Sequence, residues 1–357
     1  MPDHAPTPPP DPVSRYHRQR ILPAFGAGAQ RRLGEAHAVV VGVGALGCVS
    51  ADLLARAGVG RVTLIDRDVV ERTNLQRQTL FTEADADGCL PKSVAAARRL
   101  RAVNSEIAIH AEVADVVPSN AEELVLDAEL GEPGAILDGT DNFETRFLLN
   151  DLSVRDGIPF CYAGAVGGES VSASFVPGPG RACLRCLVEP PAPGSLPTCD
   201  TSGVFAPAVQ LAAARQAADA IRILAGVFDA DRAGLVRGDL FTGEQRELPL
   251  AGARDPGCPC CAGRGFEFLS APDPKTVSLC GRDAVQIHGT SRAAMDLDGL
   301  AARLGSDPDV SVTHNELLLR ATLPGAGLTV FADGRAIVHG TTDPDRARAL
   351  HARYVSG

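Results

Sequence analysis

Short apolar runs alternate with longer amphipathic segments along the first half of the chain. Runs of strand length occupy 38–42, 62–65, 107–110, 135–137 and 160–164, and helical patterns occupy 49–57, 93–103 and 143–155. Continuous apolar runs of this length are typical of strands that are buried on both faces. The alternation therefore predicts a doubly wound α/β fold, with a mainly parallel sheet and helices on both of its faces.

The alternation of short apolar runs and helical patterns ends after Gly168. A strand-like segment at 171–176 is followed by a stretch rich in cysteine and proline at 177–201 and by a long alanine-rich helical pattern at 204–224. Two further strand patterns occupy 235–241 and 245–250, and three cysteines then fall within a loop at 254–261. These segments extend the predicted large domain beyond its parallel part.

Composition at the two ends suggests the domain organisation. Six prolines fall within the first twelve residues, so we expect a disordered leader at 1–13. We then expect a large domain at 14–262, a linker at 263–276 and a small α/β unit of unknown role at 277–357. This small C-terminal unit carries no catalytic motif that we can recognise.

The overall charge and hydrophobicity exclude several classes of protein. Hydrophobic residues make up 45% and charged residues 22% of the 357 positions, which indicates a globular protein with a large core. A net charge of −10 argues against non-specific nucleic-acid binding. No long uncharged apolar run and no basic-then-apolar start is present, so we expect a cytoplasmic protein that binds no membrane.

A glycine-rich turn lies directly between the first predicted strand and the first predicted helix. Gly42, Gly44 and Gly47 form the pattern G-x-G-x-x-G, with Ala45 inside it. Such a turn lets the backbone approach a phosphate at the N-terminus of a helix. Asp66 ends the next strand, where an acidic side chain can accept hydrogen bonds from ribose hydroxyls. By itself this Rossmann-like pattern indicates a nucleotide, and an NAD or FAD site remains an alternative.

Cations and amides follow the glycine turn more densely than a hydride-transfer enzyme needs. The relevant segments are Arg15-Tyr-His-Arg18-Gln, Val41-Gly-Val-Gly-Ala-Leu-Gly, Thr73-Asn-Leu-Gln-Arg-Gln, Pro91-Lys92 and Gly139-Thr-Asp-Asn-Phe. Over roughly 14–262, the chain resembles the MoeB/ThiF branch of the ubiquitin-activating-enzyme superfamily. One departure is Asp-Gly-Thr-Asp-Asn where many relatives have Asp-Cys-Thr-Asp-Asn, which leaves the second aspartate intact.

The resemblance implies an adenylyltransferase. Its reaction joins ATP to the C-terminal Gly-Gly carboxylate of a ubiquitin-like sulfur-carrier protein, giving an acyl-adenylate and pyrophosphate for a thiamine, molybdopterin or related pathway. Arg77 and Lys92 match the family's phosphate-contacting residues, and Asp141 matches its Mg²⁺-binding aspartate. Arg18 matches an arginine that reaches the ATP of the neighbouring subunit, which implies a homodimer.

The remaining residues of the expected ATP site are polar or small. They are Gly42, Gly44, Ala45, Gly47, Asp66, Thr73, Asn74, Gln78 and Asn142. These residues complete the site that the charged residues above begin. Charged residues are also expected at this site on physical grounds, because a carboxylate that approaches a triphosphate is repelled. Fixed cations in a site of low dielectric constant lower this barrier.

Two Cys-x-x-Cys pairs predict a zinc site. Cys183 and Cys186 form one pair, Cys258 and Cys261 form the other, and four thiolates make a closed structural site. Cys260 is a competitor for one ligand position. The alternative is a group of buried, reduced thiols.

Cys199 lies in a segment flanked by proline and glycine, and it corresponds to a cysteine that forms a covalent link to the carrier in some family members. We expect a nucleophile or a sulfur relay there, against the alternative of an inert thiol. The C-terminal unit has no rhodanese-like active-site loop, so sulfur has to come from a separate donor protein. An NAD-dependent oxidoreductase and an inactive scaffold of the same fold are the alternative functions.

Overall fold

The computed structural model describes residues 14–127, 129–191, 202–274, 276–279, 283–287 and 295–355. It divides the chain into a larger unit that reaches Ala271 and a smaller unit from Pro272 onward. In the larger unit, eight strands form one sheet in the order β3-β2-β1-β4-β5-β6-β7-β8. These strands are β1 (His37–Val41), β2 (Arg61–Ile65), β3 (Ala108–Glu112), β4 (Ala135–Asp138), β5 (Phe160–Val166), β6 (Glu169–Phe175), β7 (Gly234–Asp239) and β8 (Gln245–Pro249).

The sheet has a parallel part and an antiparallel part. Strands β3, β2, β1, β4 and β5 pair in parallel, and β6, β7 and β8 continue the sheet with antiparallel pairing. The strand order reverses between β1 and β4, because β2 and β3 lie on one side of β1 and β4 lies on the other. Ligands of doubly wound folds bind outside the carboxyl ends of the strands at such a point.

Helices cover both faces of this sheet. Those of the larger unit are α1 (His17–Arg20), α2 (Gly26–Glu35), α3 (Ala45–Ala57), α4 (Glu83–Asp87), α5 (Lys92–Val103), α6 (Ala121–Val125), α7 (Phe143–Asp156), α8 (Leu184–Leu187) and α9 (Ala206–Leu224). Successive residues of β1 enter different cores: Val40 packs with α3, α5 and α9, whereas Val39 packs with α6 and α7. Side chains of a strand alternate between faces, so β1 is buried on both sides, and the predicted fold class is confirmed.

Helix α3, the first helix that the apolar pattern predicts, begins earlier than that pattern indicates. The pattern places its start at residue 49, but α3 starts at Ala45. Gly47 lies in its first turn, where a Cβ atom would come within 1.9 Å of the Gly42 oxygen. The tight backbone contact therefore requires glycine at a position that contributes no apolar signal. Helix α2 was not predicted, because it buries only Ala29, Gln30 and Leu33.

The residues before Ser270 in the predicted linker, 263–276, belong to the packed structure of the larger unit. The Phe268 ring stacks on the Phe147 ring with 5.1 Å between centroids. The Phe268 amide donates a hydrogen bond of 2.9 Å to the Asp151 carboxylate. Two phenylalanines and a leucine within four residues are too few to show a period, which is why composition indicated a linker here.

The smaller unit contains an antiparallel sheet of six strands in the order β11-β12-β13-β14-β10-β9. Its elements are β9 (Thr276–Leu279), β10 (Ala284–Ile287), α10 (Leu297–Leu304), β11 (Ser311–His314), β12 (Leu318–Leu323), β13 (Ala326–Phe331), β14 (Ala336–His339) and α11 (Pro344–Tyr354). Both helices contribute side chains to one apolar core with the sheet, including Leu300 and Ala347. Within the described parts of the chain, no helix combines the length and apolar character needed to cross a bilayer.

Candidate nucleotide crevice and metal centre

The glycine turn is held against the loop that follows β4. Gly42 has a φ of +85°, and a Cβ atom there would lie 2.6 Å from the Gly139 carbonyl. A Cβ atom at Gly139 would in turn lie 2.1 Å from the Gly42 oxygen. The N-cap of α3 is Gly44, which offers no side chain to the first amides of the helix. The turn thus places backbone amides at the switch point of the sheet, in the arrangement that receives a phosphate.

Asp66 braces this turn. Its Oδ2 atom accepts a hydrogen bond of 2.6 Å from the Val43 amide, and its Oδ1 atom accepts one of 2.7 Å from the Asp68 amide. Burial raises the pKa of the Asp66 carboxyl, while Lys92 and the two amides oppose that rise. Each carboxylate oxygen has a further lone pair. A role of Asp66 toward a ribose therefore remains a prediction, beside a bracing role that the geometry shows directly.

Lys92 is buried at the start of α5 and points to the same edge of the sheet. Its Nζ atom lies 2.9 Å from the Asp68 Oδ2 atom, and only 4% of the lysine side chain is exposed. Arg77 is more open, and its Nη1 atom donates to the Thr73 carbonyl at 3.1 Å. The contact with Asp68 therefore holds the lysine amino group in a fixed position at the crevice.

The amides that were predicted to contact the nucleotide have different surroundings. Asn74 is buried, and its Oδ1 atom accepts from the Glu71 amide at 3.0 Å, which closes a short 3₁₀ turn. Gln78 is 4% exposed, and its Oε1 atom has no hydrogen-bond donor within the described part of the chain. Its Nε2 atom lies 3.9 Å from where a Cβ atom of Gly44 would stand. A buried amide beside the glycine turn, with an acceptor to satisfy, fits a ligand there.

The loop after β4 carries Asp141 and is stabilised by a buried ion pair. Asp141 is exposed, whereas the next residue, Asn142, caps α7 by accepting from the Thr145 amide at 2.8 Å. Behind the loop, the Arg146 Nε atom lies 2.6 Å from the Asp138 Oδ2 atom, and both side chains are buried. The Arg146 Nη2 atom also donates to the Thr140 carbonyl at 3.0 Å.

Arg146 and Asp138 were missed by the sequence reasoning. The arginine lies between the rings of Phe143 and Tyr162, with its Cζ atom 4.8 and 4.9 Å from their centroids. Burial lowers the pKa of Arg146, but Asp138, Tyr162 and Asp141 together raise it further, so the guanidinium stays charged. The only signal in the sequence was an arginine eight residues after the aspartate that ends a strand. An arginine within a helical pattern does not by itself indicate a buried ion pair.

Arg18 does not lie at this crevice within its own chain. It is exposed on α1, next to Gln19, whose Nε2 atom donates to the Ala57 carbonyl at 3.0 Å. Ala57 ends α3, whereas the glycine turn begins it, and a helix of this length spans about 18 Å. Arg18 and the glycine turn therefore lie toward opposite ends of α3.

Four cysteines converge on one point. The Sγ atoms of Cys183, Cys186, Cys258 and Cys261 all lie within 4.8 Å of one another, and we call these residues the thiol cluster. Two of the separations are 3.8 Å, between Cys183 and Cys258, and 3.4 Å, between Cys186 and Cys261. Sulfur atoms on a tetrahedral zinc ion are about 3.8 Å apart, given Zn–S bonds of roughly 2.3 Å. The donor set and its size therefore fit zinc.

Cys260 lies beside the thiol cluster and outside it. It is 2% exposed, and its Sγ atom accepts from the Asn150 Nδ2 atom at 3.4 Å. Its thiol also bonds to the Asp151 carboxylate. The pKa of Cys183 is raised, mainly by a hydrogen bond with Cys260 and next by burial. The Cys183 thiol therefore needs a cation nearby to ionise. Cys199 lies outside the described residues.

The fold and the crevice define a nucleotide-binding protein of the doubly wound class. The ThiF family model matches residues 16–260, which is more than half of the chain, and the chain therefore belongs to the ThiF family. This confirms the family that the motifs indicated.

The proteins that the chain resembles include two curated adenylyltransferases and a solved structure. It is 40% identical to the sulfur carrier protein ThiS adenylyltransferase of Bacillus subtilis (strain 168), over 96% of this chain and 99% of that protein. It is 36% identical to the molybdopterin-synthase adenylyltransferase of Escherichia coli (strain K12), over 69% of this chain and 95% of that protein. The crystal structure of E. coli MccB with ATP matches with a TM-score of 0.59 and 25% identity, covering 70% of this chain and 75% of MccB.

Proposed function

We propose that this protein is an ATP-dependent adenylyltransferase that activates the C-terminal glycine carboxylate of a ubiquitin-like sulfur-carrier protein. The observation that carries the proposal is the contact between Gly42 and Gly139, which joins the phosphate-binding turn to the loop of Asp141. The resemblance along nearly the whole chain to a ThiS adenylyltransferase supports the same substrate class. The two relatives named above do not favour an NAD-dependent oxidoreductase.

The reaction joins two anions. An oxygen of the carrier carboxylate, already ionised at neutral pH, attacks the α-phosphorus of ATP, and the bond from that phosphorus to the bridging oxygen of pyrophosphate breaks. Lys92 and Arg77 would offset the charge that develops on the phosphates and the leaving pyrophosphate. No general base is required, because the nucleophile carries no proton.

Asp141 is the residue that would hold Mg²⁺. It is an exposed carboxylate beside the glycine turn, and a hard oxygen ligand suits this cation. The bound ion would neutralise charge on the phosphate oxygens. Arg146 and Asp138 position the loop without contacting the nucleotide, since both are buried behind it.

The thiol cluster is a structural zinc site in this proposal. The Asn150 Oδ1 atom accepts from the Leu184 amide at 2.9 Å, so a hydrogen bond connects α7 directly to the first Cys-x-x-Cys segment. Metal binding would tie that segment to the Cys258 loop, and both to α7. The same helix begins at the Asp141 loop, so the metal centre would stabilise the element that carries the crevice.

The protein is a homodimer in this proposal, and Arg18 serves the crevice of its partner. Support comes from the position of Arg18 at the far end of α3 from the glycine turn of its own chain. Cys199 would accept the activated carrier or relay sulfur from a separate donor protein.

Pyrophosphate exchange tests the proposal. The full chain with ATP, Mg²⁺, labelled pyrophosphate and a Gly-Gly-ended carrier should form labelled ATP, and a carrier without its last glycine should give none. Cys199→Ser should retain this exchange and lose any covalent carrier adduct seen by mass spectrometry. Release of ADP in place of pyrophosphate would overturn the proposal.

A further inference from the structure

Arg67 lies two residues beyond β2, at the edge of the sheet that holds the crevice. Its Nη1 atom donates to both oxygens of Asp115, at 3.2 and 3.1 Å. Asp115 follows β3, and the two side chains are 19% and 9% exposed. This partly buried pair therefore keeps a guanidinium in one place beside the crevice. No family motif in the sequence includes either residue.

The guanidinium lies among carboxylates that serve the crevice. Strands β2 and β4 flank β1 on its two sides, and adjacent strands are about 4.8 Å apart. The loops of Arg67 and Asp141 therefore follow strands separated by about 10 Å, with the glycine turn between them. Asp66 and Asp68 belong to the same loop as Arg67. Burial lowers the pKa of Arg67, but Asp115, Asp68 and Asp141 together raise it further, which agrees with this proximity.

The charges at this edge are unequally matched. Asp66, Asp68, Asp115 and Asp141 supply four carboxylates, and Lys92 bonds to Asp68. Arg77 is a further cation of the crevice, so loss of the Arg67 guanidinium would make this edge more negative by one charge, which favours a divalent cation and disfavours a triphosphate. Arginine keeps its charge at any pH at which the protein folds, so this contribution to the potential is permanent.

We propose that Arg67, held by Asp115, sets the electrostatic potential of the crevice so that it strengthens binding of the nucleotide polyanion and weakens binding of the divalent cation. The inference rests on the proposed function and deepens it. One fixed charge acts on the two ligands with opposite signs. A residue that only ties the ends of β2 and β3 together would change both affinities in the same direction.

The test measures both affinities in the full chain, without any carrier. Isothermal titration gives the dissociation constant of α,β-methylene-ATP in EDTA, and electron paramagnetic resonance gives the Mn²⁺ concentration that half-saturates the complex with this analogue. For Arg67→Met we expect the first constant to rise on the order of tenfold, and the Mn²⁺ concentration to fall by a similar factor, as a unit charge about 10 Å away implies.

Two further variants separate charge from structure. Arg67→Lys keeps the charge and should stay within about threefold of the parent in both measurements. Asp115→Asn removes one negative charge and should shift both constants in the directions opposite to Arg67→Met, which keeps the test informative if Arg67→Met does not fold. Arg72→Met is the matched control, because Arg72 has a 60% exposed side chain that pairs with Asp87. Both constants should be unchanged in it.

Parallel weakening of nucleotide and Mn²⁺ in Arg67→Met, or no change in either, would overturn the inference. A parent that binds the analogue but exchanges no pyrophosphate with any carrier would overturn the proposed function and leave the inference standing. A parent that binds no analogue would overturn both.

Discussion

The nucleotide crevice and the thiol cluster are assembled in different ways. In the crevice, charged side chains have partners in the protein: Lys92 bonds to Asp68, Asp66 accepts from two amides, and Arg146 pairs with Asp138. In the thiol cluster, sulfur atoms lie beside other sulfur atoms, at 3.4 and 3.8 Å, and the hydrogen bonds to Cys186 and Cys258 include bonds from neutral backbone amides. Thiols cannot neutralise one another once ionised.

The comparison indicates which interactions hold the residues of each site in position. Pairing within the protein prepares the crevice before any ligand arrives, which is the condition for electrostatic stabilisation of a transition state. The thiol cluster depends on a cation to hold two segments that are distant in the sequence. Loss of zinc should therefore affect stability first, and loss of a crevice residue should affect the reaction first.

Removal of a zinc ligand should have the largest effect. Cys258→Ser should bind no zinc and lose about 5 kcal/mol or more of the free energy of unfolding, since structural zinc contributes about 10 kcal/mol or more in zinc-finger peptides. Zinc content by atomic emission and unfolding in guanidinium measure both. Cys89→Ser, at a partly exposed cysteine outside the cluster, is the control. A parent that contains no zinc after purification without chelators would refute this half of the comparison.

Disruption of the buried ion pair should reduce stability and activity together. Arg146→Met leaves the Asp138 charge buried without its partner and should cost about 3–5 kcal/mol of the free energy of unfolding. Combining it with Asp138→Asn, which keeps an acceptor for Thr140, should restore most of the stability. Pyrophosphate exchange should stay low in the double variant, because Arg146 no longer bonds to the Thr140 carbonyl. Full recovery of exchange would mean that the pair does not position the loop.

Removal of the proposed magnesium ligand should affect the reaction alone. Asp141→Ala should reduce adenylation by a factor on the order of 10² or more, with a change in the free energy of unfolding below about 0.5 kcal/mol, since the side chain is exposed. Steady-state pyrophosphate exchange and thermal unfolding measure the two. Glu144→Ala, an exposed acid in the first turn of α7, should retain full activity.

Arg77→Ala should likewise reduce adenylation by a factor on the order of 10² or more, because a fixed cation near the phosphates is lost. The measurement is pyrophosphate exchange at saturating ATP, with Arg56→Ala as the control, since Arg56 pairs with Asp52 on the exposed surface. Exchange at the parent's rate would remove Arg77 from the proposed site.

Removal of the fifth thiol should have the smallest effect. Cys260→Ala leaves Asn150 and Asp151 without one partner each and should cost about 1–2 kcal/mol of the free energy of unfolding, while zinc stays bound. Cys260→Ser, which retains a donor and an acceptor, should cost less. If Cys260→Ala loses zinc, then Cys260 is itself a ligand.

Much of this protein follows from local patterns. Strands β1, β4 and β5 of the parallel part are mostly apolar runs, the glycine spacing marks the turn, and each Cys-x-x-Cys pair is a local feature of the chain. Family motifs then indicated the ThiF family, and the family match agrees. Other parts lack such a signal, as Asp66 shows: its position after β2 predicts a contact with ribose, which stays a prediction, but no local pattern predicts that its two oxygens accept from the Val43 and Asp68 amides.

The sequence by itself determined the doubly wound class, the family and the two Cys-x-x-Cys pairs, because periodicity, glycine spacing and cysteine spacing act over a few residues. It left Cys260 open as a ligand, and the structure places that thiol outside the cluster. The tertiary structure alone decided which charges meet. Arg67 with Asp115, Lys92 with Asp68 and Asn150 with Cys260 are pairs that are far apart in the chain. Parallel pairing brings the ends of β2, β3 and β4 to one edge, and long-range packing of this kind leaves no local pattern in the sequence.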